Sequence, residues 1–589
     1  MARRAFLLSS ITFLGIISGV ERPARAQFPA VMELRQLDGV SGFTILGADY
    51  AHLTGLSVSW AGDVNKDGVD DLLVGAPGGY SGPNYPEPEG RAYVFFGGRQ
   101  IGREGVIDLR WPTSGAGWTL ILGEVLDSTG ASVSFAGDVN ADGIDDLVVG
   151  APDADAPLRP WTGQAYLFFG GPHLSKLSLL RPSDLDGTDG IVVSGTRSGA
   201  QTGNAVTNCG DLNDDGYADF AVATWLGNPG GRRSAGQVHV IFGGPKVGAT
   251  PNLYPTLLNG TNGFSVNGIL ENDRAGWGVA RGGDVNDDGV DDLIIGAPWA
   301  DPAGRNRAGQ AYVVFGRSGI GAGGLFELSD LDTSNGFVIN GVAPEDQAGR
   351  TVCGGADLDA DGVPDVVIGS WPSGDAYVIR GGQQVGASGV VELSALDGRA
   401  GFVVRLANGE RGVANVGRPG DFNDDGVADL IIGSIGLPWS GQYRDVALVV
   451  FGREGLGSGG VVDATALGGR EGFFLISANA DWTGASVSTA GDVNGDGIDD
   501  LAIGAPFWQR DGIWWVGRAF VVFGRRLGDL DLDGDVDLAD FLIFQRCFGG
   551  EERPPTPECP TDVISDLDYD GDVDLADFLI FQQNFTGSR

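Results

Sequence analysis

An all-β fold, a seven-bladed β-propeller carrying a small α-helical domain at its C-terminal end, is predicted by three features of the sequence. An acidic nine-residue loop returns seven times, its first Asp at 63, 138, 211, 284, 357, 421 and 492. Around each copy stand short β-branched or aromatic runs bounded by glycine; in the first unit these are GLSVSWAG, DLLVGAP, RAYVFFG and GWTLILG, which read as four strands. Two further acidic loops, starting at Asp529 and Asp566, are each followed by an apolar helical stretch. Seven separate sandwiches are a poor alternative, because a single four-stranded sheet cannot bury both of its faces alone.

Within a unit, the run before the loop is rich in small residues: Gly55, Ser57 and Ser59 in the first, Gly130, Ser132 and Ser134 in the second. Small side chains suit the crowded strand nearest a propeller axis, so this run is placed innermost and GFTILG-type runs outermost. The ring has a closure problem. GFTILG at 42–47 precedes any acidic loop, whereas the last unit ends on RAFVVFG at 518–524 with no outer strand of its own. Setting 42–47 beside 518–524 fills the open blade and covers its unpaired edge. The domain reading is therefore 27–524 for the propeller, with 42–47 as its closure strand, and 525–589 for the tail.

At the N-terminus, Arg3 and Arg4 precede an apolar run from Ala5 to Val20, and Ala24-Arg25-Ala26 offers a small-x-small cleavage site. Residues 1–26 thus read as a signal peptide, with RRAFLL similar to a twin-arginine signal. The expected location is secreted, extracellular or at the cell surface. No other stretch is long and apolar enough for a transmembrane segment. The chain of 589 residues carries a net charge of −40 and 101 glycines, with 42% apolar residues. The charge argues against nucleic acid as a partner, since phosphate binding needs a basic surface. The apolar content argues against disorder. Four cysteines are too few for a disulfide scaffold. Cys547 and Cys559 lie close enough in sequence to pair, and Cys209 and Cys353 read as buried thiols.

Positions 1, 3, 5 and 9 of every loop carry Asp or Asn, position 6 is Gly, and position 7 is apolar with only its carbonyl to offer. This is the oxygen pattern of a hard-cation loop, with the glycine allowing the sharp turn. The first two loops would use Asp63, Asn65, Asp67, Val69 and Asp71, then Asp138, Asn140, Asp142, Ile144 and Asp146. The next two would use Asp211, Asn213, Asp215, Tyr217 and Asp219, then Asp284, Asn286, Asp288, Val290 and Asp292. The last three would use Asp357, Asp359, Asp361, Val363 and Asp365; Asp421, Asn423, Asp425, Val427 and Asp429; and Asp492, Asn494, Asp496, Ile498 and Asp500. With no helix after the loop and no acid at position 12, this is a strand–loop–strand site. Calcium fits better than magnesium, which prefers fewer protein ligands and more water.

The unit GLSVSWAGDVNKDGVDDLLVGAP resembles the FG-GAP repeat of integrin α-chain propellers, over roughly residues 42 to 524. Gly-Ala-Pro stands at 75–77, 150–152, 296–298 and 504–506, but ATW, GSW and GSI replace it in units three, five and six. The Phe of the family's Phe-Gly is replaced throughout, for example by Thr54 before Gly55. The resemblance implies an adhesion or interaction protein with an extracellular protein or glycan as ligand.

The two C-terminal loops place acids at positions 1, 3, 5, 9 and 12: Asp529, Asp531, Asp533, Asp537 and Asp540, then Asp566, Asp568, Asp570, Asp574 and Asp577, with the carbonyls of Asp535 and Asp572 at position 7. Two such calcium-loop-plus-helix units resemble a type I dockerin domain over 528–589, which implies a cohesin-like partner. Leu538-Ala539 and Leu575-Ala576, at loop positions 10 and 11, are apolar and depart from that family's usual pattern. Together the loops give about nine calcium sites. The competing function is a polysaccharide-processing enzyme or a component of an enzyme complex. Against catalysis, the three histidines, His52, His173 and His239, share no motif, and no catalytic signature is found.

Overall fold

The structure, a computed structural model, describes residues 28–79, 89–110, 117–155, 160–406, 412–439, 442–477, 481–531, 535–550, 553, 555–556, 559, 565–567 and 572–586. The signal assigned to 1–26 lies outside the described residues. Seven five-stranded sheets form the ring. In blade one the order from the axis outward is Ser57–Gly62, Asp71–Ala76, Glu89–Phe95, Trp118–Val125 and Leu179–Leu180. The first strands of all seven blades line a central channel.

Second strands such as DLLVGA and DLVVGA are buried at every residue. Unbroken apolar runs of this kind arise where both faces of a sheet are covered. Here each blade packs against two others, and seven apolar clusters each draw on two adjacent blades. At the joint between blades seven and one, for example, Phe43, Ile45 and Val521 meet Val58, Leu72 and Tyr93.

Each blade has one strand more than the four runs per unit read from the sequence. The fifth is a two- or three-residue piece lying parallel to the fourth strand, taken from a later linker in six blades and from the N-terminal segment in blade six. Val106–Asp108, Leu325–Glu327 and Val390–Glu392 are examples. They are too short for an alternation signal, although the recurrent pattern in MELRQLDG (32–39), FELSDLDT (326–333) and VELSALDG (391–398) marks them.

The N-terminal segment takes two places in the ring. Gly42–Leu46 pairs antiparallel with Arg518–Val522 as the fourth strand of blade seven. Val31–Glu33 pairs parallel with Phe474–Ile476 as the fifth strand of blade six. Ahead of it, Phe28 is fully buried and stacks on Phe473 with ring centroids 4.2 Å apart.

The described residues of the tail include two helices, Leu538–Cys547 and Leu575–Gln583. Each starts at a capping box, Asp537 with Asp540 and Asp574 with Asp577, and their apolar faces share a core that includes Phe544, Val573, Ile580 and Phe581. Cys547 and Cys559 form a disulfide across a separation of 12 residues, and Cys209 and Cys353 are buried free thiols. Closing a loop of that length contributes ~3 kcal/mol by restricting the unfolded chain. Reduction is therefore expected to lower the tail's melting transition and leave the ring's unchanged. Recovery of both cysteines as free thiols, by mass spectrometry of protein purified without reductant, would end this expectation.

Candidate metal sites

Each ring loop is a tight turn between a blade's first and second strands. Positions 4 and 6 take left-handed backbone: Lys66 has φ 62° and Gly68 φ 92°, and position 4 repeats this at Ala141, Asp214, Asp287, Ala360 and Asp424. A left-handed non-glycine residue is costly, and a loop that repeats it is held by something beyond local preference.

One hydrogen-bond pattern holds all seven loops. The position-1 carboxylate accepts the N–H groups of positions 5 and 6: Asp67 and Gly68 donate to Asp63 at 2.9 and 2.8 Å, Asp496 and Gly497 to Asp492 at 2.9 and 2.8 Å. Asp138, Asp211, Asp284, Asp357 and Asp421 do the same. The position-5 carboxylate accepts the N–H of position 7 at Val69, Ile144, Tyr217, Val290, Val363, Val427 and Ile498. In five loops the position-3 amide, from Asn140, Asn213, Asn286, Asn423 or Asn494, donates to the position-5 carboxylate. In the first loop Asn65 donates to Asp71 instead.

The position-9 aspartate opens the second strand and is buried in every blade. Asp71 accepts the N–H of Val64 at 3.1 Å and that of Gly97, just past the third strand, at 2.9 Å. Burial pushes the Asp71, Asp146, Asp219 and Asp292 carboxyls up to about 8, and the carboxylates at loop positions 1 and 5 add to the rise. Asp365 is pushed up to about 7, and Asp429 and Asp500 are raised for the same reasons. A cation in the loop would reverse this, since an opposite charge favours the ionised form.

The residues fit a hard cation. Every side-chain donor is an oxygen, and a carboxylate oxygen that accepts one N–H keeps a second lone pair. The buried Asn213 Oδ1 and Asp359 Oδ1 have no hydrogen-bond partner. Carboxylate oxygens of Asp357, Asp359 and Asp361 lie within 4.8 Å of one another. In the tail, Asp529, Asp531 and Asp540 form one such group, Asp535, Asp537 and Asp540 a second, and Asp572, Asp574 and Asp577 a third. Asp535 and Asp572 thus bring carboxylates to the groups, beyond the carbonyls expected of them. Asp566 is half-buried at the second tail loop, with its Oδ1 shielded from solvent. Asp533, Asp568 and Asp570 lie outside the described residues.

Loop five has its own variation. Asp359 takes the place of Asn, and Arg380 stands before Gly381 where the other six blades have phenylalanine. Arg380 ion-pairs with Asp359, so the added negative charge is matched by an added positive one.

Position 8 was missed as functional in the sequence. It faces the neighbouring blade: Asp145 accepts the Asp63 N–H at 3.1 Å, Asp291 that of Asp211 at 3.0 Å, Asp499 that of Asp421 at 2.9 Å and Asp70 that of Asp492 at 3.0 Å. The last of these crosses the closure between blades one and seven. Ala218, Pro364 and Ala428 hold the position elsewhere, so four joints carry this staple. The signal was a position that is acidic in only some repeats. Asp145→Ala is expected to cost about 1–2 kcal/mol, because it strands a partly buried N–H. An unchanged urea midpoint would count against the staple.

His52 and His239 are buried and held neutral, their pKa values pulled down to about 4 by burial. His239 hydrogen-bonds Ser265 and Thr224, a structural arrangement. His173 is exposed beside a 3-10 turn. Among the described residues no helix is long and apolar enough to cross a membrane.

Four segments, 54–95, 129–168, 275–314 and 483–516, match the FG-GAP repeat family. They are the units that keep Gly-Ala-Pro. Integrin alpha pat-2 of Caenorhabditis briggsae is 29% identical over 269 residues, which covers 44% of this chain and 19% of that protein. Integrin alpha-IIb of Mus musculus is 35% identical over 217 residues, 32% of this chain and 18% of that protein. Phosphatidylinositol-glycan-specific phospholipase D of Homo sapiens is 26% identical over 349 residues, 58% of this chain and 36% of that protein. The chain thus spans less than a fifth of the length of these integrins. The matches and the seven-bladed ring together support an integrin-like FG-GAP β-propeller.

Proposed function

We propose that the chain is a secreted calcium-binding interaction protein. Its ring presents a ligand-binding face to an extracellular glycan or protein, and its tail docks to a cohesin-like partner. Calcium belongs in the seven ring loops and the two tail loops. The observation that carries the reading is the distribution of tryptophan. Nine of the 13 tryptophans stand in connections at the end of the ring away from the acidic loops. Across blades three to five they form one patch: Trp225 meets Trp277 edge-on at 4.4 Å, and Arg274 lies over Trp299 at 3.1 Å. Arg350 continues the patch to Trp371 at 5.5 Å. Indoles and arginines are the side chains that dominate binding energy at interfaces.

Export is supported by the signal-like N-terminus and by the Cys547–Cys559 disulfide, a bond that persists in oxidising compartments. Docking by the tail is supported by Leu538 and Leu542 on the first helix and Leu575 and Leu579 on the second, each at least half exposed at matching positions. Binding is favoured over hydrolysis by the channel, whose described charged lining is arginine.

The test is a binding screen of the full chain against glycans, extracellular matrix proteins and cohesins, with and without chelator. For a ring ligand, Trp225→Ala with Trp371→Ala is expected to weaken binding by tenfold or more and leave melting near that of the parent. For the tail, Leu538→Asp with Leu575→Asp is expected to abolish cohesin capture. Hydrolysis of a screened glycan by the parent chain would overturn the non-enzymatic reading.

A further inference from the structure

The channel carries charge opposite in sign to the rest of the molecule. In a chain of net charge −40, a cavity of about 160 Å³ lies on the axis, and among its described lining residues the charged ones are Arg281 and Arg418. Both stand three residues before the first Asp of their loop, in blades four and six, with Gly354 of blade five between them in ring order.

The two arginines differ in their partners. Arg281 donates to both carboxylate oxygens of Asp291, at 2.9 and 3.0 Å, and is neutralised there. Arg418 has no carboxylate within ion-pair distance among the described residues. Its guanidinium lies over the Trp60 ring at 4.3 Å, with Phe135 at 5.5 Å. Asp499 and Asp70, the carboxylates whose field reaches it, are engaged in accepting the Asp421 and Asp492 N–H groups. Burial and the like charge of Arg281 pull Arg418 down to about 10. Arg418 is half-buried, and a guanidinium with no carboxylate beside it keeps an attraction for an anion that stacking on an indole does not meet. Gly354, Gly355 and Gly417 line the channel beside it and bring no side chain into it.

We infer that the central channel binds a small monovalent inorganic anion, of halide type, at the Arg418 guanidinium. The hydroxyls of the channel argue for a halide over a tetrahedral oxyanion. Ser59 and Ser134 already donate to the carbonyls of Trp60 and Phe135 at 2.7 Å, and Thr207 donates to that of Asn208 at 3.0 Å. Of the lining hydroxyls that leaves Ser488, and an oxyanion needs several directed N–H or O–H groups, whereas a spherical ion can sit against one guanidinium edge.

The experiment uses the full chain in calcium. Sodium bromide replaces sodium methanesulfonate at constant ionic strength while melting is followed. Crystals grown in bromide are measured at its absorption edge. The expected results are a saturable rise in Tm of roughly 1–3 °C and an anomalous peak in the channel beside Arg418. Arg418→Met is expected to lose both and, in methanesulfonate, to melt no lower than the parent. An empty channel in bromide crystals overturns the inference, and so does an equal bromide response in both proteins, which would mark general ionic screening. Should the variant fail to fold, the peak in the parent decides alone. A sulfate ion displacing bromide from the same peak would overturn the halide assignment.

Discussion

A chain lacking residues 28–47 is expected to lose the cooperative unfolding of the whole ring. The segment supplies strands to two blades at once, Val31–Glu33 to blade six and Gly42–Leu46 to blade seven. It also buries Phe28, Met32, Leu34, Phe43 and Ile45 in the clusters on either side of blade seven. At about 1.5–3 kcal/mol for each large buried side chain, the loss is on the order of 10 kcal/mol, comparable to the stability of an entire domain. Removal would also bare the edge of Arg518–Val522, a template for aggregation. Blades one and seven stay linked by contacts such as Asp492 N–H to Asp70, Gly98 N–H to the Val493 carbonyl and the Ser486 hydroxyl to the Gly55 carbonyl, but these are single hydrogen bonds set against the loss of five large side chains. The tail has its own core and disulfide, so its two helices should survive, visible by circular dichroism and by the retained Cys547–Cys559 bond. A deletion variant that melts like the intact protein would refute the clasp.

The sequence made the ring legible because its information is repeated. One acidic loop could be an ordinary turn, but seven in register, each followed by an apolar run, fix both the blade count and the identity of the second strand. The closure segment was legible by counting, since an outer-type run at 42–47 precedes the first loop and the last unit ends at 518–524 without one. What escaped was short or relational. Val106–Asp108 is three residues long, too short for a period, and becomes a strand only because the neighbouring blade offers it an edge. The inward reach of Arg418 depends on where its first strand stops, at Val416, which no local preference reveals. Asp145 and Asp70 act across blade joints, so their role lies in the ring geometry and not in the loop that contains them.

Calcium removal is expected to be the largest effect that leaves the covalent chain intact. Without a cation each ring loop gathers carboxylates at positions 1, 5 and 9 around one turn, and the position-9 group is buried. These loops also hold the blades to one another. The carbonyl at position 2 accepts an N–H from the adjacent blade in all seven cases, from Gly98 to Val493, Gly171 to Val64, Gly244 to Val139, Arg317 to Leu212, Gly382 to Val285, Arg453 to Leu358 and Arg525 to Phe422. A loop that opens to relieve its charge therefore loosens a blade joint as well as a turn. Binding at ten times the dissociation constant adds ~1.4 kcal/mol per independent site, so seven sites contribute about 10 kcal/mol. In chelator the ring's Tm should fall by roughly 10–20 °C, and added calcium should restore it. Magnesium should restore less, because it holds its water and accepts fewer protein ligands. Asp500→Ala, which removes the buried ligand at the joint with the clasp, should reproduce part of the loss and blunt the remaining response to calcium. A melting transition unmoved by chelator would remove calcium from the account of this fold and leave the seven carboxylate clusters without a counter-charge.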